Sequence, residues 1–369
     1  MRVVVTGVGG FLGWHTRLRL HALTDHEVIA IDRHGWPGLT DAVAAADAVI
    51  HIAGANRGTD AEVRSTNLQL ADDLARALQA AGHPVRVVFA GTIQAGNDSA
   101  YGRSKAEARD RVAEATKAGG GTFVDVELPN LFGEHARPHY NSFVATFVDA
   151  TITGATPTIS DAEVGLLHVQ DAADFLIQAL TREPRPARNR VTYAGVAEVW
   201  ELLQEFHASY RTGEIPALTD RFLINLFNTY RAALFPGHYP IRLVPHDDPR
   251  GRFVETVRVR GGEGQSSVST TVPGITRGEH YHLQKIERFA VLAGRARIDL
   301  RRMFTDEVVS FSVSGDEPVA IDMPTGWAHN ITNTGDEILV TQFWAHELFR
   351  PDAPDTFPEP VGPPRQETH

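Results

Sequence analysis

The sequence predicts two domains: a doubly wound parallel α/β sheet, followed by an all-β antiparallel barrel. Three observations support this fold class. The chain of 369 residues exceeds the usual size of one compact domain. Up to about residue 130, short apolar runs alternate with turns and helical stretches, as in a parallel sheet with helices on both faces. After about Pro240 the runs become short and alternating, with turn residues roughly every ten positions.

Five apolar runs are the predicted buried strands of the first domain: RVVVTG, EVIAID, DAVIHIAG, VRVVFAGT and FVDVEL. Segments with helical spacing separate them, for example STNLQLADDLARALQAAG. In the second domain the alternating runs include SSVSTTV, RFAVLAGRARIDLRR, VVSFSVSG and EILVTQFWA. We place the boundary after residue 242, so that residues 1–242 form the first domain and residues 243–369 the second.

Composition and charge exclude several functions. A formal net charge of -11 argues against non-specific binding to nucleic acid or to anionic lipid, because both need a basic face. The absence of cysteine excludes disulfides and thiolate metal sites. No apolar run approaches the roughly 20 residues that span a bilayer, and the N-terminus lacks the apolar core of a signal peptide. We therefore expect a cytoplasmic protein with no nucleic-acid or membrane partner.

The first predicted strand ends in a glycine turn that leads into a helix. The spacing G-x-x-G-x-x-G permits a tight turn and a close approach of backbone amides to a pyrophosphate at the helix N-terminus. This pattern predicts a dinucleotide site. Its residues are Gly7, Gly10, Phe11, Leu12 and Gly13.

Two residues after the second strand bear on the choice of dinucleotide. Asp32 ends that strand, where a carboxylate can accept hydrogen bonds from the adenosine ribose hydroxyls of NAD. Arg33 follows at once and could face the 2′-phosphate of NADP. The two residues leave both cofactors open.

A reducing site is predicted at GTIQAGNDSAYGRSK, with Thr92 at a strand end and Tyr101 four residues before Lys105. Residues at i and i+4 share a helix face, so the Lys105 ammonium can lie near the Tyr101 hydroxyl and lower its pKa. A tyrosine tuned in this way can exchange the proton that accompanies hydride transfer at a carbonyl carbon.

These motifs resemble the extended short-chain dehydrogenase/reductase (SDR) family of nucleotide-sugar epimerases, dehydratases and reductases, which has a Rossmann-like fold. HIAG resembles the loop over the cofactor diphosphate, and PNLFG the segment near the nicotinamide and the sugar-nucleotide phosphates. The resemblance implies cofactor contacts from the glycine turn, Asp32, Arg33, Ala53, Gly54, Lys105 and Pro129. The predicted substrate contacts are Asn130 from PNLFG and the loop residues Arg57, His139 and Asn141.

The stretch GITRGEHYHLQKIERFAVLAG of the second domain predicts a divalent metal site. His280 and His282 project to the same face of a strand, and Glu287 can return from the next strand. His329 in PTGWAHNITN offers a fourth ligand. Imidazole and carboxylate ligands suit first-row divalent ions, among them zinc, nickel, manganese and iron.

The two stretches together resemble the two motifs of the cupin superfamily, small antiparallel barrels with a metal inside. GITRGEHYHL and DDPRGRFVE also resemble metal-free cupin epimerases acting on 4-keto-6-deoxy nucleotide sugars. In those enzymes the histidine that corresponds to His280 is a proton-abstracting base. We favour the metal because the base alone leaves His282, Glu287 and His329 without a shared purpose.

The whole chain resembles a family of bifunctional capsule-synthesis enzymes, through AGANR, TIQA, PNLFG, YNSFVATF, PGITRG and VSGDEPVAIDMPTGWAHNI. The resemblance implies C3 epimerisation of a UDP-linked 2-acetamido-2,6-dideoxy-4-keto hexose in a zinc-containing cupin. It implies NADPH-dependent reduction at C4 by the first domain, in a homodimer. Asp32 stands where that family lacks an acidic residue, so NADH stays an alternative to NADPH.

We expect Thr92 and Tyr101 to bind the C4 oxygen, Tyr101 to protonate it, and Lys105 to orient the ribose. The candidate bases of the cupin are Lys285, Tyr281 and His346. Two other functions are left open. One is a single-activity reductase or epimerase acting on another nucleotide sugar in secondary metabolism. The other is a redox-sensing or sugar-binding protein without turnover, although mere binding does not need a tuned phenol.

Overall fold

The computed structural model describes residues 1–96, 99–182 and 190–362. Contacts within the chain divide it into two compact units. Unit 1 comprises Met1–Thr146 and Ile159–Ala197, and unit 2 comprises Phe147–Thr158 and the chain from Glu198 onward.

Unit 1 is built on a five-stranded parallel sheet. Its strands coincide with the five predicted apolar runs, and their order is β2-β1-β3-β4-β5. The order reverses between β1 and β3, which is where ligands bind at the carboxyl ends of the strands in doubly wound sheets. The strands are β1 (Arg2–Thr6), β2 (Glu27–Ile31), β3 (Ala48–His51), β4 (Arg86–Thr92) and β5 (Phe123–Leu128).

Helices cover both faces of this sheet. Leu20 and Phe175 pack with Val3 and Val5 on one face, and Leu74 packs among buried residues on the other. The alternation of side chains along each buried strand supplies both cores. The helices of the first 180 residues are α1 (Phe11–Leu23), α2 (Leu39–Ala44), α3 (Asp60–Ala80), α4 (Ala100–Ala118), α5 (Phe143–Thr153) and α6 (Val169–Gln178).

Only a short connection joins β2 to β3. It consists of the 3-10 turn Trp36–Gly38 and the six-residue helix α2, with no additional strand. A second, three-stranded sheet contains β6 (Asn130–Phe132), β7 (Glu163–His168) and β8 (Thr192–Gly195).

Unit 2 is an antiparallel β structure with two facing five-stranded sheets. The sheet orders are β12-β19-β14-β17-β9 and β16-β15-β18-β13-β20, and β10 pairs with β11 in a separate hairpin. Phe289 of one sheet contacts His329 of the other, with ring centroids 5.8 Å apart. The predicted fold class, a Rossmann-like sheet followed by an all-β cupin barrel, is thus confirmed.

From Val196 to residue 362, the structure describes two helices followed by twelve short strands. They are α7 (Val196–Tyr210), α8 (Arg221–Leu234), β9 (Ile241–Arg242), β10 (Pro245–Asp248), β11 (Gly251–Val254), β12 (Gln265–Thr271), β13 (Thr276–Tyr281), β14 (Glu287–Ala293), β15 (Arg295–Arg302), β16 (Val308–Ser314), β17 (Val319–Met323), β18 (Trp327–Asn333), β19 (Leu339–Ala345) and β20 (Phe357–Pro358).

Helices α7 and α8 are bonded to the barrel through a buried polar network. The Tyr210 hydroxyl donates to Asp322 (2.5 Å), and Arg288 donates to both oxygens of Asp322 (2.6 and 2.9 Å). Arg231 donates to the carbonyl of Met323 (3.3 Å). Because of these bonds, residues 198–242 fall into unit 2, whereas the sequence boundary placed them in the first domain. The extent of the NAD(P)-binding domain stays a prediction.

Within the described ranges, no helix combines the length and the apolar character that crossing a membrane requires.

Candidate active site and metal centre

The glycine turn after β1 is held by backbone hydrogen bonds. Gly7 donates its N–H to the carbonyl of Ile31 (2.8 Å), and Gly10 donates to the carbonyl of Gly7 (2.9 Å). A Cβ on Gly13 would lie 2.0 Å from the Gly7 carbonyl oxygen, so only glycine fits there. Helix α1 begins after Gly10 without a side-chain cap, which leaves its first amides free for an anion. Phe11 and Leu12 form the first turn of this helix.

Asp32 stands at the carboxyl end of β2, as predicted. One carboxylate oxygen accepts a hydrogen bond from the N–H of Gly35 (2.8 Å), and this bond lowers the pKa of Asp32. The second oxygen can accept a ribose hydroxyl. Arg33 is exposed beside it.

The loop that contains Ala53 and Gly54 is fixed by two side chains that the sequence analysis missed. The hydroxyl of Thr6 accepts the N–H groups of Ile52 and Ala53 (3.1 and 3.2 Å). The amide of Asn67 bonds to the N–H and the carbonyl of Ala55 (2.7 and 2.9 Å). Asn67 could have been recognised from the sequence, because it is a polar residue among the apolar residues on the buried face of α3.

The three predicted reductase residues lie at the end of β4 and the start of α4. Thr92 is buried, and its hydroxyl accepts the N–H of Gln94 (3.2 Å). Lys105 is buried with its ammonium 4.2 Å from the ring centroid of Phe89. Burial lowers the pKa of Lys105 to about 8, against an opposing effect of Asp125.

The pKa of Tyr101 differs from the sequence-based expectation. Burial raises the pKa of this phenol, whereas the spacing to Lys105 predicted a lower value. Desolvation disfavours the charged phenolate, and it alone accounts for the direction of this shift. Tyr101 is therefore protonated at neutral pH, which is the form that can donate a proton.

The predicted substrate residues lie in neighbouring loops of unit 1. Arg57 donates from its side chain to the carbonyl of Tyr140, which connects the loop after Ala53 to the segment of His139 and Asn141. Asn130, which follows Pro129, is the first residue of β6 and donates to the carbonyl of Gly165 (3.5 Å). All four side chains that we predicted to bind substrate belong to exposed residues, namely Arg57, Asn130, His139 and Asn141.

The buried residue that follows PNLFG, Glu134, bonds to two histidines from distant parts of the chain. The carboxylate of Glu134 accepts from His168 (3.1 Å), and its carbonyl accepts from His15 of α1 (2.9 Å). Burial opposes ionisation of Glu134, but the two histidines outweigh it and hold its pKa at about 2. The cluster ties the segment of Pro129 to α1, and sequence reasoning missed it because the three residues are far apart in the chain.

The four predicted metal ligands converge inside the barrel. His280 and His282 come from the end of β13, His329 from β18, and Glu287 from β14 of the facing sheet. Their ligand atoms all lie within 4.8 Å of one another. Each carries the donor type that zinc and related ions accept.

The hydrogen bonds of the histidines suit a cation. The Nδ1 atom of His282 donates to the carbonyl of Asp355 (2.6 Å), and that of His329 donates to the carbonyl of Trp327 (3.1 Å). Both Nε2 lone pairs then face the Glu287 carboxylate, at 3.0 and 3.4 Å. Lone pairs and a carboxylate this close repel unless a cation or a proton lies among them. A divalent ion therefore fits the residues present.

Electrostatics favours unprotonated ligands. Burial, followed by His329 and His282, lowers the pKa of His280 to about 3. Burial opposes ionisation of Glu287, but its interactions with His282 and His329 hold its pKa well below the usual range. At neutral pH this carboxylate is ionised and His280 is neutral, as metal ligands are.

A glycine bulge positions His280. The register between β13 and β18 shifts between Gly278 and His280. Gly278 has a φ of 101°, and a Cβ there would lie 2.8 Å from the carbonyl oxygen of His329. The extra residue redirects the strand before its two histidines.

Two of the three candidate bases, Lys285 and His346, have structural hydrogen-bond partners. Lys285 donates to the carbonyl of Pro354 (2.6 Å) and to the hydroxyl of Thr356 (3.0 Å). The Nδ1 atom of His346 accepts the N–H of Ile286 (3.0 Å), and burial lowers the pKa of His346 to about 4. Tyr281 is fully buried, and burial raises its pKa.

The α/β unit with its tyrosine and lysine, and the barrel with its histidine cluster, define a nucleotide-cofactor reductase joined to a cupin. The family description "NAD dependent epimerase/dehydratase family" matches residues 3–193, and "Polysaccharide biosynthesis C-terminal domain" matches residues 246–357. The chain belongs to the NAD dependent epimerase/dehydratase family.

Relatives extend this result to the whole chain. It is 31% identical over 370 residues to UDP-2-acetamido-2,6-beta-L-arabino-hexul-4-ose reductase of Pseudomonas aeruginosa, covering 98% of this chain and 99% of that protein. It is 28% identical over 123 residues to the spore coat polysaccharide biosynthesis protein SpsL of Bacillus subtilis, covering 31% of this chain and 82% of SpsL.

Among solved structures, the chain is similar to the capsular polysaccharide assembling protein CapF of Staphylococcus aureus. The identity is 32% and the TM-score 0.61, over 98% of this chain and 100% of CapF. The predicted resemblance is confirmed: the chain is an enzyme of the bifunctional nucleotide-sugar family in which a reductase precedes a cupin domain.

Proposed function

We propose that the chain acts twice on one UDP-linked 2-acetamido-2,6-dideoxy-4-keto hexose. The barrel epimerises C3, and unit 1 then reduces the C4 ketone with a nicotinamide cofactor. The observation that carries this proposal is the presence on one chain of a buried His₃Glu cluster and a tyrosine–lysine reductase site. The similarity to the relative named a hexul-4-ose reductase covers 98% of this chain, and it therefore supports a role for both units.

In the reduction, Thr92 and Tyr101 hold the C4 oxygen, and Tyr101 gives it a proton. The raised pKa of the Tyr101 phenol supports this direction, because the hydroxyl is protonated at neutral pH. Lys105 orients the ribose of the cofactor. When bound, the nicotinamide supplies the hydride that C4 receives.

The cofactor is NADPH, with NADH as the alternative. The amides at the start of α1 and the loop of Ala53 and Gly54 hold the diphosphate, with Gly7, Gly10, Phe11, Leu12 and Gly13 forming the turn. Arg33 favours a 2′-phosphate, whereas the ionised Asp32 favours a free ribose hydroxyl. Pro129 borders the nicotinamide.

In the barrel, His280, His282, Glu287 and His329 would hold a divalent metal, which we propose to be zinc. Such an ion stabilises negative charge on the oxygen of the ketone that is being enolised. The same four residues argue against a metal-free site with His280 as base, because the cluster brings three more ligand groups to one point.

Substrate recognition is assigned to exposed residues of unit 1. Arg57 has a cationic side chain for the diphosphate, and Asn130, His139 and Asn141 can hydrogen-bond to phosphate or sugar oxygens. We also propose that the enzyme works in the cytoplasm as a homodimer. The net charge of -11 supports the expectation that neither nucleic acid nor an anionic membrane is a partner.

Solvent deuterium uptake separates the two reactions. In Tyr101→Phe we expect NAD(P)H consumption on a 4-keto UDP-sugar to fall at least about 100-fold, because the proton donor is lost. Deuterium uptake at C3, followed by mass spectrometry in heavy water, should continue at the wild-type rate. The exposed Tyr193 provides the matched control, since Tyr193→Phe should change neither rate. Equal loss of both activities in Tyr101→Phe would contradict the division of labour.

A second experiment identifies the sugar and the metal. A panel of keto sugars with different nucleotides, incubated with NADPH or NADH, shows which ketone is reduced. Metal analysis of protein purified without chelator tests the barrel site. If this protein contains no metal and still epimerises C3, the assignment of the four ligands is wrong.

A further inference from the structure

The barrel has a cleft of about 240 Å³ that reaches the metal-ligand cluster at one of its four residues. Glu287 lies in its lining, together with Lys285 and a second carboxylate, Glu347. We propose that Glu347 is the catalytic residue that removes the C3 proton, an inference that rests on the proposed function.

Strand pairing places Glu347 on the ligand-bearing face. Glu287 pairs with Ala345 in the β14–β19 ladder. The pairing continues outward, because His346 donates its N–H to the carbonyl of Ile286 (3.1 Å) and accepts the N–H of Ile286 on its ring (3.0 Å). Ala345, Glu347 and Glu287 all line the cleft, so Glu347 lies on the same side of the sheet as Glu287. Glu347 therefore lies two residues beyond Ala345, the residue that pairs with Glu287.

The spacing between Glu287 and Glu347 along the strand direction matches the distance that proton removal from C3 requires. Two residues along a strand span about 7 Å. A ketone oxygen held at the histidine cluster would place the adjacent carbon a few ångströms nearer the cleft mouth. Glu347 lines the same cleft as Glu287, so its carboxylate could reach that carbon.

Glu347 is better suited to proton transfer than the residues predicted from sequence. The ammonium of Lys285 donates hydrogen bonds to Pro354 and Thr356, and the ring of His346 accepts one from Ile286. Burial, with a contribution from Asp355, raises the pKa of Glu347, which makes its carboxylate a stronger base. Its ion pair with Arg350 is long, with N···O 3.8 Å, and the Arg350 side chain is 65% exposed.

The proposed step balances as follows. The Glu347 carboxylate takes the proton from C3, and the electrons of the C–H bond form a C3–C4 double bond while the carbonyl π electrons move onto the C4 oxygen. Water delivers a proton to the opposite face of C3, the carbonyl re-forms, and Glu347 returns its proton to solvent. The sugar is unchanged in composition and inverted at C3.

The test is deuterium uptake at C3 by Glu347→Gln in heavy water, measured beside the wild type. The amide keeps the shape of the side chain but cannot accept the proton, so we expect uptake to fall at least about 100-fold. Metal content and the dissociation constant of the keto sugar should remain those of the wild type. Glu347→Asp should recover part of the rate.

Arg350→Met is the matched control for a structural role. It removes the same ion pair, and because exposed pairs contribute little, uptake should stay within about fivefold of the wild type. Equal loss in the Arg350 and Glu347 variants overturns the proposal, as does wild-type uptake in Glu347→Gln or loss of metal from it. Absence of uptake in the wild type itself would instead refute the proposed function.

Discussion

Asp322 is expected to be essential for the stability of unit 2. Asp322 and Arg288 are 0% and 1% exposed, and both carboxylate oxygens accept from the guanidinium. Asp322→Ala leaves the Arg288 charge buried without its counterion, although Arg288 keeps a bond to the carbonyl of Gly213 (2.7 Å). Removing one partner of a buried pair typically costs about 3–5 kcal/mol, and we expect that loss here.

Hydrogen exchange measured on peptides of β14 and β17 tests this magnitude locally. Since about 1.4 kcal/mol corresponds to a factor of ten, exchange limited by opening of the barrel should accelerate roughly 100- to several-thousand-fold. Peptides of β1 and β3 in unit 1 serve as the internal control. The double variant Arg288→Met with Asp322→Leu should be clearly more stable than Asp322→Ala, because no charge is left unpaired.

The stability that Asp322 contributes should fall, not rise, as the pH is lowered. Burial opposes ionisation of Asp322, but Arg288 outweighs it, so the folded-state pKa lies below the usual value of 3.8. The stability that this carboxylate contributes is therefore present above pH 3.8 and is lost as the pH falls through the lower folded value. Two results would refute the stability prediction. One is a loss of less than about 1 kcal/mol in the free energy of unfolding of Asp322→Ala, and the other is a double variant less stable than Asp322→Ala.

Three other substitutions test the sites. Gly13→Ala puts a Cβ 2.0 Å from the Gly7 oxygen, so NAD(P)H binding measured by fluorescence titration should weaken by about 1–3 kcal/mol. Asp32→Ala removes a charged acceptor, so the kcat/KM ratio of NADPH to NADH should rise roughly tenfold or more; an unchanged ratio means that Asp32 does not contact the ribose. His329→Ala should weaken metal binding at least about 100-fold while NAD(P)H binding persists, whereas the exposed His83→Ala should not; equal metal content in both would remove His329 from the ligand set.

The sequence was sufficient for features that depend on local pattern. The five strands of the parallel sheet are apolar runs bounded by turns, and the structure has them at the predicted places. The cluster of candidate metal ligands could also be predicted, because side chains two apart on a strand, such as His280 and His282, lie on one face. Their convergence with Glu287 and His329 follows from two short motifs.

Features that depend on tertiary burial could not be predicted. The pKa of Tyr101 is raised because the phenol is desolvated, and spacing to Lys105 carries no information on solvent access. Residues 198–242 have helical patterns that fit either unit. Their place with the barrel is set by the bonds of Tyr210 to Asp322 and of Arg231 to Met323. Those partners are about a hundred residues apart in the chain.

The two faces of β14 explain how the Arg288–Asp322 network, on the outer side of the strand, bears on the candidate metal site. Glu287 points into the barrel, and the next residue, Arg288, points out of it toward Asp322 and the helices. A slip of one residue in the pairing of β14 with β17 would exchange these faces, burying the Glu287 carboxylate without a counterion and moving the guanidinium among the histidines. The Arg288–Asp322 pair makes that alternative costly. The outer face of the strand thus fixes the register in which the inner face can present Glu287 to a metal.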